Sequence, residues 1–377
     1  MVTTPLSPIR RRSRGRVPTL VVAALLLAGC SSSPDGSKPT KFIVQRPAPS
    51  APPTTSPTGA PVGGTVGLAV NESAIPRDAV GHSTRRIGTA SHSKSAGDGT
   101  ASFRVNCSFA KMRFDDPIVA PGRPRASHLH TFFGNTSADA MSTPESIRTS
   151  GNSTCSGGTI NRSAYWAPAV IDANSGTPQI SNDPNNIYVG LSFLQVYYKT
   201  GYEGVAPGSI QNFPTGLRMI AGSATSTGPQ PTNVVHYGCT GAGGPEIGGR
   251  SSFPSCAPGQ TFIMSIDFPQ CWDGVNLDAP DHKSHMAYGI PGRGCPATHP
   301  VPLAKITQNY RYLVPAGGMA SWRLSSDMYQ GPAGYSGHAD WMNGWDPAVF
   351  QRVIDNCYKG AFDCSMNLLG DGQELLN

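Results

Sequence analysis

The stretch SFRVNCSF, residues 102–109, alternates polar and apolar side chains along its whole length. Phe103, Val105, Cys107 and Phe109 share one face of an extended chain, because side chains at positions i and i+2 of a strand point the same way. Strict alternation of this kind predicts a β-strand that buries one face and exposes the other.

Similar short runs recur along the chain, separated by clusters of Gly, Pro, Asn and Asp. They are AYWAPAVI (164–171), NIYVGLSFLQVYYK (186–199), GLRMIAG (216–222), TFIMSIDF (261–268) and YRYLVPAG (310–317). Helical periodicity is scarce. The best helix candidate follows Asp346 as N-cap, with Pro347 in the first turn and Gly360 as the stop. We therefore predict a mainly β fold: a single large, sandwich-like, β-rich domain over residues 99–377, with long loops, one short C-terminal helix and several disulfides.

The N-terminus has the features of an export signal. A cluster of arginines precedes the apolar run VPTLVVAALLLAG, which is too short to span a bilayer comfortably as a permanent helix. The run ends in Leu27-Ala28-Gly29-Cys30, which resembles a bacterial lipobox. We predict that residues 1–30 are a lipoprotein-type signal peptide and that Cys30 carries a lipid anchor on the outer face of the membrane. The alternative is a plain secretory signal with a chance cysteine.

Residues 31–98 differ in composition from the rest of the chain. They are rich in Pro, Ser, Thr and Gly, and Phe42 is their only aromatic residue. Such a segment cannot bury enough apolar surface to offset the entropy lost on ordering, so we predict a disordered tether.

Cysteine usage agrees with export. Apart from Cys30, the chain has eight cysteines, all of them beyond residue 98. An even number in an oxidising compartment predicts four disulfides, and the sequence-local pairs Cys357–Cys364 and Cys239–Cys256 are our first choices. A cysteine zinc site is disfavoured because no C-x-x-C spacing occurs.

The charge balance excludes one class of partner. The whole chain has a formal charge of +6, but residues 1–98 hold 12 of its 29 basic residues and only 4 of its 23 acidic ones. The predicted domain is therefore close to neutral and lacks the positive surface expected of a nucleic-acid-binding protein.

Polar chemistry is concentrated in four segments, which hold six of the nine histidines. The segments are FDDPIVAPGRPRASHLHTFFGN, FPQCWDGVNLDAPDHKSHMAY, CPATHPVPLAKITQNYRY and GYSGHADWMNGWD. Carboxylates accompany most of these histidines.

These segments, together with YWAPAV and FPTGLRMIAG, resemble the DUF1996 family of secreted bacterial and fungal proteins, in the same order and over roughly residues 100–360. The resemblance implies an extracellular, polysaccharide-associated role, because the fungal domain often accompanies cell-wall or carbohydrate-binding modules. It assigns no catalytic residue.

The histidine spacing predicts a metal site. His128 and His130 can converge from one face of a strand, and His338 and Asp340 repeat that spacing. Three imidazoles and a carboxylate suit zinc, copper or another divalent transition ion. The alternative is that these histidines only make hydrogen bonds in a loop-rich core. The residues predicted to bind metal are His128, His130, His282, His285 and His338.

Metal-free acid–base catalysis is a second hypothesis. Glycoside hydrolysis needs two carboxylates beside the scissile bond, and glutamate is absent from the four polar segments. The predicted catalytic residues are therefore Asp116, Asp278, Asp281 and Asp340. The alternative is that these aspartates form turns and caps.

Sugar binding without catalysis is the third hypothesis. Trp272, Trp341 and Trp345 lie close to the polar segments and offer planar faces for stacking on sugars. Arg218 is either an anion-binding residue or the ion-pair partner of an aspartate.

Together, these features lead us to expect an extracellular, lipid-anchored protein that acts on polysaccharide as a hydrolase with a His/Asp-rich, metal-dependent centre. The alternative is a non-catalytic module that binds carbohydrate or cell wall. The expected partner is a cell-wall or environmental glycan.

Overall fold

The computed structural model describes residues 68–180, 193–241 and 244–377. The predicted signal peptide, Cys30 and most of the predicted tether lie outside these ranges. The strands are β1 (Ile87–Thr89), β2 (Ser95–Ala96), β3 (Ala101–Arg113), β4 (His130–Gly134), β5 (Ala164–Pro168), β6 (Val170–Asp172), β7 (Thr177–Pro178), β8 (Phe193–Thr200), β9 (Arg218–Gly222), β10 (Val235–Thr240), β11 (Ile247–Arg250), β12 (Thr261–Asp267), β13 (Cys271–Trp272), β14 (Met286–Ala287), β15 (Val301–Pro302), β16 (Lys305–Leu313), β17 (Trp322–Leu324), β18 (His338–Met342), β19 (Phe362–Met366) and β20 (Gln373–Leu375).

Helices are short. They are α1 (Pro144–Thr149) and α2 (Pro347–Val353), the second of which continues as a π-helical turn over Ile354–Tyr358. The predicted cap is confirmed, because Asp346 Oδ1 accepts hydrogen bonds from the backbone N–H groups of Ala348 and Val349. None of the helices in the described part of the chain is long and apolar enough to cross a membrane.

Within the described residues, twelve strands form one sheet, ordered β11-β10-β12-β16-β8-β3-β4-β5-β18-β9, with β19 and β2 joined beside β3. The long strand β3 belongs to both halves of this sheet. Residues 101–108 pair with β8, whereas residues 109–113 pair with β4, with a register shift between Phe109 and Lys111. A single strand that changes partners along its length lets the sheet curl back on itself.

The two halves of the sheet face each other across the main core. The Phe133 ring on β4 lies 5.6 Å from the Tyr310 ring on β16, and the Tyr165 and Tyr198 hydroxyls are 2.6 Å apart. These contacts join opposite halves, so the prediction of a mainly β, sandwich-like domain is confirmed. The strand predicted over residues 102–109 forms the pivot of this arrangement.

A second, smaller apolar cluster lies on the outer face of β4, β5 and β18. It consists of Ile118, Phe132, Ala138, Ile147, Ala164, Trp166 and Met342, all of them fully buried. Their strand neighbours Phe133, Tyr165 and Trp341 belong to the main core. Adjacent side chains thus face opposite sides, as the alternation of a strand requires.

Disulfides tie the loops to this framework. In the described residues the bridges are Cys107–Cys155, Cys239–Cys256, Cys271–Cys295 and Cys357–Cys364. Both sequence-local pairs chosen from the sequence are confirmed.

The folded part extends further towards the N-terminus than the predicted boundary at residue 98. Strand β1 pairs with β20, and β2 pairs with β19. Leu68, Val70, Ile75 and Ile87 pack against the main core. The tether was predicted from the average composition of residues 31–98, which is rich in Pro, Ser, Thr and Gly. That average does not reveal a few apolar residues that pack on the core.

Candidate metal centre

The candidate centre is built on the outer face of β4, β5 and β18. In the sheet register His130 pairs with Pro168, and Trp166 pairs with Asp340. His338 lies two residues before Asp340 and therefore on the same face of β18. His130 and His338 project from strands on either side of β5, and their ring centroids are 5.7 Å apart.

Backbone carbonyls fix the tautomers of both rings. His130 Nδ1 lies 2.9 Å from the carbonyl oxygen of Asp115, and His338 Nδ1 lies 2.9 Å from that of Ser336. A carbonyl oxygen only accepts hydrogen bonds, so each Nδ1 carries the proton and each Nε2 keeps its lone pair. The two Nε2 atoms face each other at 3.5 Å.

Both rings are neutral at ordinary pH. Burial is the main cause that lowers the pKa of His130 to about 4 and the pKa of His338 to about 4. Neither Nε2 atom then holds a proton to share with the other. Two lone pairs directed at one another are unfavourable unless a cation lies between them.

His128 completes a group of three imidazoles. Its ring centroid lies 4.2 Å from that of His130 and 5.0 Å from that of His338. Each of the three rings offers a nitrogen atom within 4.8 Å of the others. Burial, followed by the neighbouring His130 and His338, holds the pKa of His128 well below its usual value. The His128 Nε2 atom is buried and has no hydrogen-bond partner among the described residues.

Two carboxylates form a second donor group, which shares His130 with the first. Asp116, His130 and Asp340 offer ligand atoms that all lie within 4.8 Å of one another. Asp116 Oδ1 accepts hydrogen bonds from the backbone N–H groups of Ile118 and Val119, which orient its carboxylate. Burial raises the pKa of Asp116.

Asp340 is unusual because it is fully buried and has no hydrogen bond at either side-chain oxygen within the described residues. Burial, and then the charge of Asp116, raises its pKa well above its usual value. An unpaired polar group in the protein interior costs free energy, and an ion bound at these oxygens would offset that cost.

The donor set fits a divalent first-row transition ion. Zinc binds imidazole nitrogens at about 2.0–2.1 Å, so a tetrahedral ion holds two of them about 3.4 Å apart. The observed separation of 3.5 Å between the His130 and His338 Nε2 atoms agrees with that spacing. Backbone carbonyls on the opposite ring nitrogens are the usual outer partners of histidine ligands.

Other predicted site residues form a second cluster beside the centre. Asp278 lies 3.0 Å from His282 Nδ1 and 3.1 Å from an Arg218 nitrogen. Arg218 therefore takes the ion-pair role, the second of the two roles weighed for it. His285 is buried, and its Nε2 hydrogen-bonds the Arg218 carbonyl oxygen at 2.7 Å. His282 and His285, which we predicted as metal ligands, lie outside the two donor groups of the described chain.

Asp281 forms a turn rather than a catalytic pair. Its Oδ1 accepts hydrogen bonds from the backbone N–H groups of Ser284 and Lys283 and from the Ser284 hydroxyl. These bonds lower the pKa of Asp281 to about 2.

The predicted sugar-stacking tryptophans are divided between core and surface. Trp341 and Trp345 are buried in the main core, where protein side chains cover their faces. Trp345 Nε1 donates a hydrogen bond to the Tyr198 hydroxyl. Trp272 is half-buried, and its Nε1 donates to the Asn276 carbonyl oxygen at 2.6 Å.

Two surface grooves meet at His128. One has a volume of about 460 Å³ and is bordered by Leu68, Val70 and Phe114. The other, of about 290 Å³, is bordered by residues 224–227 and Tyr329. His128 lines both grooves, whereas the other four donors line neither of them.

Some contributors to the centre have no signature in the sequence. The carbonyl groups of Asp115 and Ser336 act through the backbone, which every residue possesses. Lys283, whose charge acts on His338 and Asp340, lies inside the DHKSH motif, where the sequence pattern draws attention to the histidines and not to the lysine.

A family model described as a domain of unknown function, DUF1996, matches residues 116–345. No curated protein and no solved structure matches the chain. The matched range begins at Asp116 and includes the other four residues of the candidate centre.

Proposed function

Since this chain belongs to the DUF1996 family, a family of unknown function, we propose its function from the centre itself: the domain binds a divalent transition-metal ion. The three imidazoles of His128, His130 and His338 supply the primary ligands. Asp116 and Asp340, which form a second donor group with His130, are the carboxylates proposed to complete the ligand set.

One observation carries this proposal. His130 and His338 present unprotonated Nε2 atoms to each other at 3.5 Å, with both Nδ1 atoms engaged by carbonyl oxygens. A metal ion satisfies both lone pairs at once, whereas a hydrogen bond between the two atoms requires a proton that neither ring holds.

We propose hydrolysis as the chemistry of this centre. A water molecule bound to a divalent ion is a nucleophile near neutral pH, and a nearby carboxylate can accept its proton. Asp340 can take that second role through the carboxylate oxygen that does not bind the ion, because the described residues give neither of its oxygens a competing hydrogen bond. A substrate held in either groove would lie beside His128, the one proposed ligand that lines them.

We further propose that the protein works outside the cell, on polysaccharide, and is attached to the membrane through Cys30. The signal-like N-terminus, the four disulfides and the near-neutral domain support this proposal. The alternative function is glycan binding without turnover at the same grooves.

Metal content is the first test. Protein purified without chelator is expected to contain a transition metal by elemental analysis, and EDTA is expected to lower its thermal unfolding temperature because a ligand that binds only the folded state stabilises it. His338→Ala and the less buried His128→Ala should both lose the metal. His92→Ala, at an exposed histidine far along the chain from the centre, is the matched control.

A wild-type protein without metal, and with an unfolding temperature that EDTA leaves unchanged, would contradict the metal proposal. Turnover is tested separately with a panel of glycans incubated with zinc-loaded and EDTA-treated protein. Products formed only by the loaded protein support hydrolysis. Retention of a glycan without product supports the binding role instead.

A further inference from the structure

Lys283 places an ammonium group beside the candidate centre. Its side chain is exposed, and Nζ donates a hydrogen bond to the carbonyl oxygen of Gly222 at 2.5 Å. Gly222 is the cross-strand partner of His338 in the pairing of β9 with β18. An ammonium group has three donors, and no carboxylate of the described residues forms an ion pair with this one. It therefore has donors to offer to a ligand.

The turn that carries Lys283 is held on both sides. Asp281 Oδ1 accepts a hydrogen bond from the backbone N–H group of Lys283 and so caps the turn. His282 adopts a left-handed backbone conformation with φ of 58°, which a non-glycine residue rarely takes. Its ring is held by Asp278, which in turn pairs with Arg218 on β9. The second cluster of polar residues thus fixes the position of Lys283.

An anion at the centre would meet two local positive charges, the divalent ion and the ammonium group of Lys283. In the adjoining turn Arg218 pairs with Asp278, and Asp281 accepts hydrogen bonds from the backbone N–H groups of Lys283 and Ser284 and from the Ser284 hydroxyl, but not from Nζ. The attraction for an anion is therefore local to Nζ and the ion, and at an exposed lysine it weakens with added salt.

We propose that Lys283 binds an anionic group of the substrate, so that the protein prefers glycans bearing carboxylate or phosphate groups over neutral glycans. This inference rests on the proposed metal function. Under this proposal, Arg218, Asp278, His282 and Asp281 do not touch the substrate. They are positioning residues, because they hold the turn that carries Lys283.

The test compares the affinity of zinc-loaded protein for three probes by calorimetry: a galacturonate trimer, a glycerol phosphate oligomer and a neutral galactose trimer. Lys283→Gln should weaken binding of the preferred anionic probe about tenfold, the usual effect of removing a charge-assisted hydrogen bond. Binding of the neutral trimer should be unchanged. Lys283→Arg, which keeps the charge, should retain most of the affinity.

Lys359→Gln is the matched control, because Lys359 is an exposed lysine that pairs with Asp355 on the π-helical turn. Zinc content is measured for every variant, and Lys283→Gln should load normally. Preference for the galacturonate or the glycerol phosphate probe identifies the anionic group. A protein that takes up zinc but binds anionic and neutral probes equally, or is unaffected by Lys283→Gln, overturns this inference alone. A protein that takes up no zinc overturns the metal proposal and this inference with it.

Discussion

At the scale of single residues, the centre gives up stability for function. Asp340 is a fully buried carboxyl group whose oxygens lack hydrogen bonds within the described residues, and His130 offers a ring nitrogen within 4.8 Å of one of them. Such groups cost free energy in the metal-free protein. A metal ion turns the same atoms into ligands, so the cost is offset only in the loaded state.

Asp340→Asn tests this trade directly. The amide keeps the shape of the side chain but cannot become an anionic ligand. We expect the metal-free variant to be at least as stable as the metal-free wild type, and its zinc affinity to fall by at least about tenfold. Chemical denaturation and zinc titration measure the two quantities.

Asp267→Asn provides the opposite control. Asp267 is also buried, but it accepts a hydrogen bond from Thr307 and lies 3.5 Å from Lys199 Nζ. This variant should lose stability and keep its zinc affinity. Equal losses of metal-free stability in both variants would contradict the ligand role of Asp340.

Strand alternation accounts for only one of the two predicted i, i+2 pairs. His338 and Asp340 both lie on β18 and share one face. His128 lies in a bend before β4, which begins at His130, so its approach to His130 depends on the loop and not on a shared strand face. His282 and His285 are spaced for a turn, where backbone geometry rather than periodicity sets direction. Their exclusion from the donor groups therefore required the structure.

At the scale of elements, the contact between β9 and β18 sets the position of His338. Gly222 has φ of +79°, and a Cβ atom at this residue would lie 2.4 Å from the Gly337 carbonyl oxygen and 2.8 Å from His338 Cα. Only glycine permits both the conformation and the approach.

Gly222→Ala should therefore displace β18 beside a proposed ligand. We expect a loss of about 2–4 kcal/mol in the free energy of unfolding, from left-handed strain and the steric clash, together with weaker zinc binding. Gly259→Ala is matched in backbone strain, since its φ is +82°, but nothing lies within 4 Å of the added Cβ. It should lose about 1 kcal/mol and bind zinc normally. Similar zinc affinities for the two variants would show that the contact of Gly222 with β18 does not set the position of His338.

The strands themselves were predictable from alternation, but their partners were not. The alternation of residues 102–109 predicts which face of the strand is buried. The change of partner within β3 depends on strands far away along the chain, so the sequence pattern does not predict it. Alternation also separates two of the predicted site residues. Asp340 and Trp341 are neighbours on a strand, so they face opposite sides and cannot belong to one groove.

At the scale of the whole molecule, residues 68–98 are part of the domain. Ile87 pairs with Leu375, and the hydrogen bonds of β1 cover the edge of β20. Leu68 and Val70 pack on the main core and border the larger groove beside His128. The N-terminal residues thus connect the stability of the fold with the access to the centre.

Two truncations test this connection. A protein of residues 68–377 should unfold in urea with the same free energy as the full chain, since it keeps every contact just described. A protein of residues 99–377 loses at least four partly buried apolar side chains, each contributing on the order of 1 kcal/mol, as well as the β1–β20 pairing. We expect it to be less stable by several kcal/mol. Equal free energies of unfolding for the two truncated proteins would show that residues 68–98 do not stabilise the domain, in agreement with the predicted boundary at residue 98.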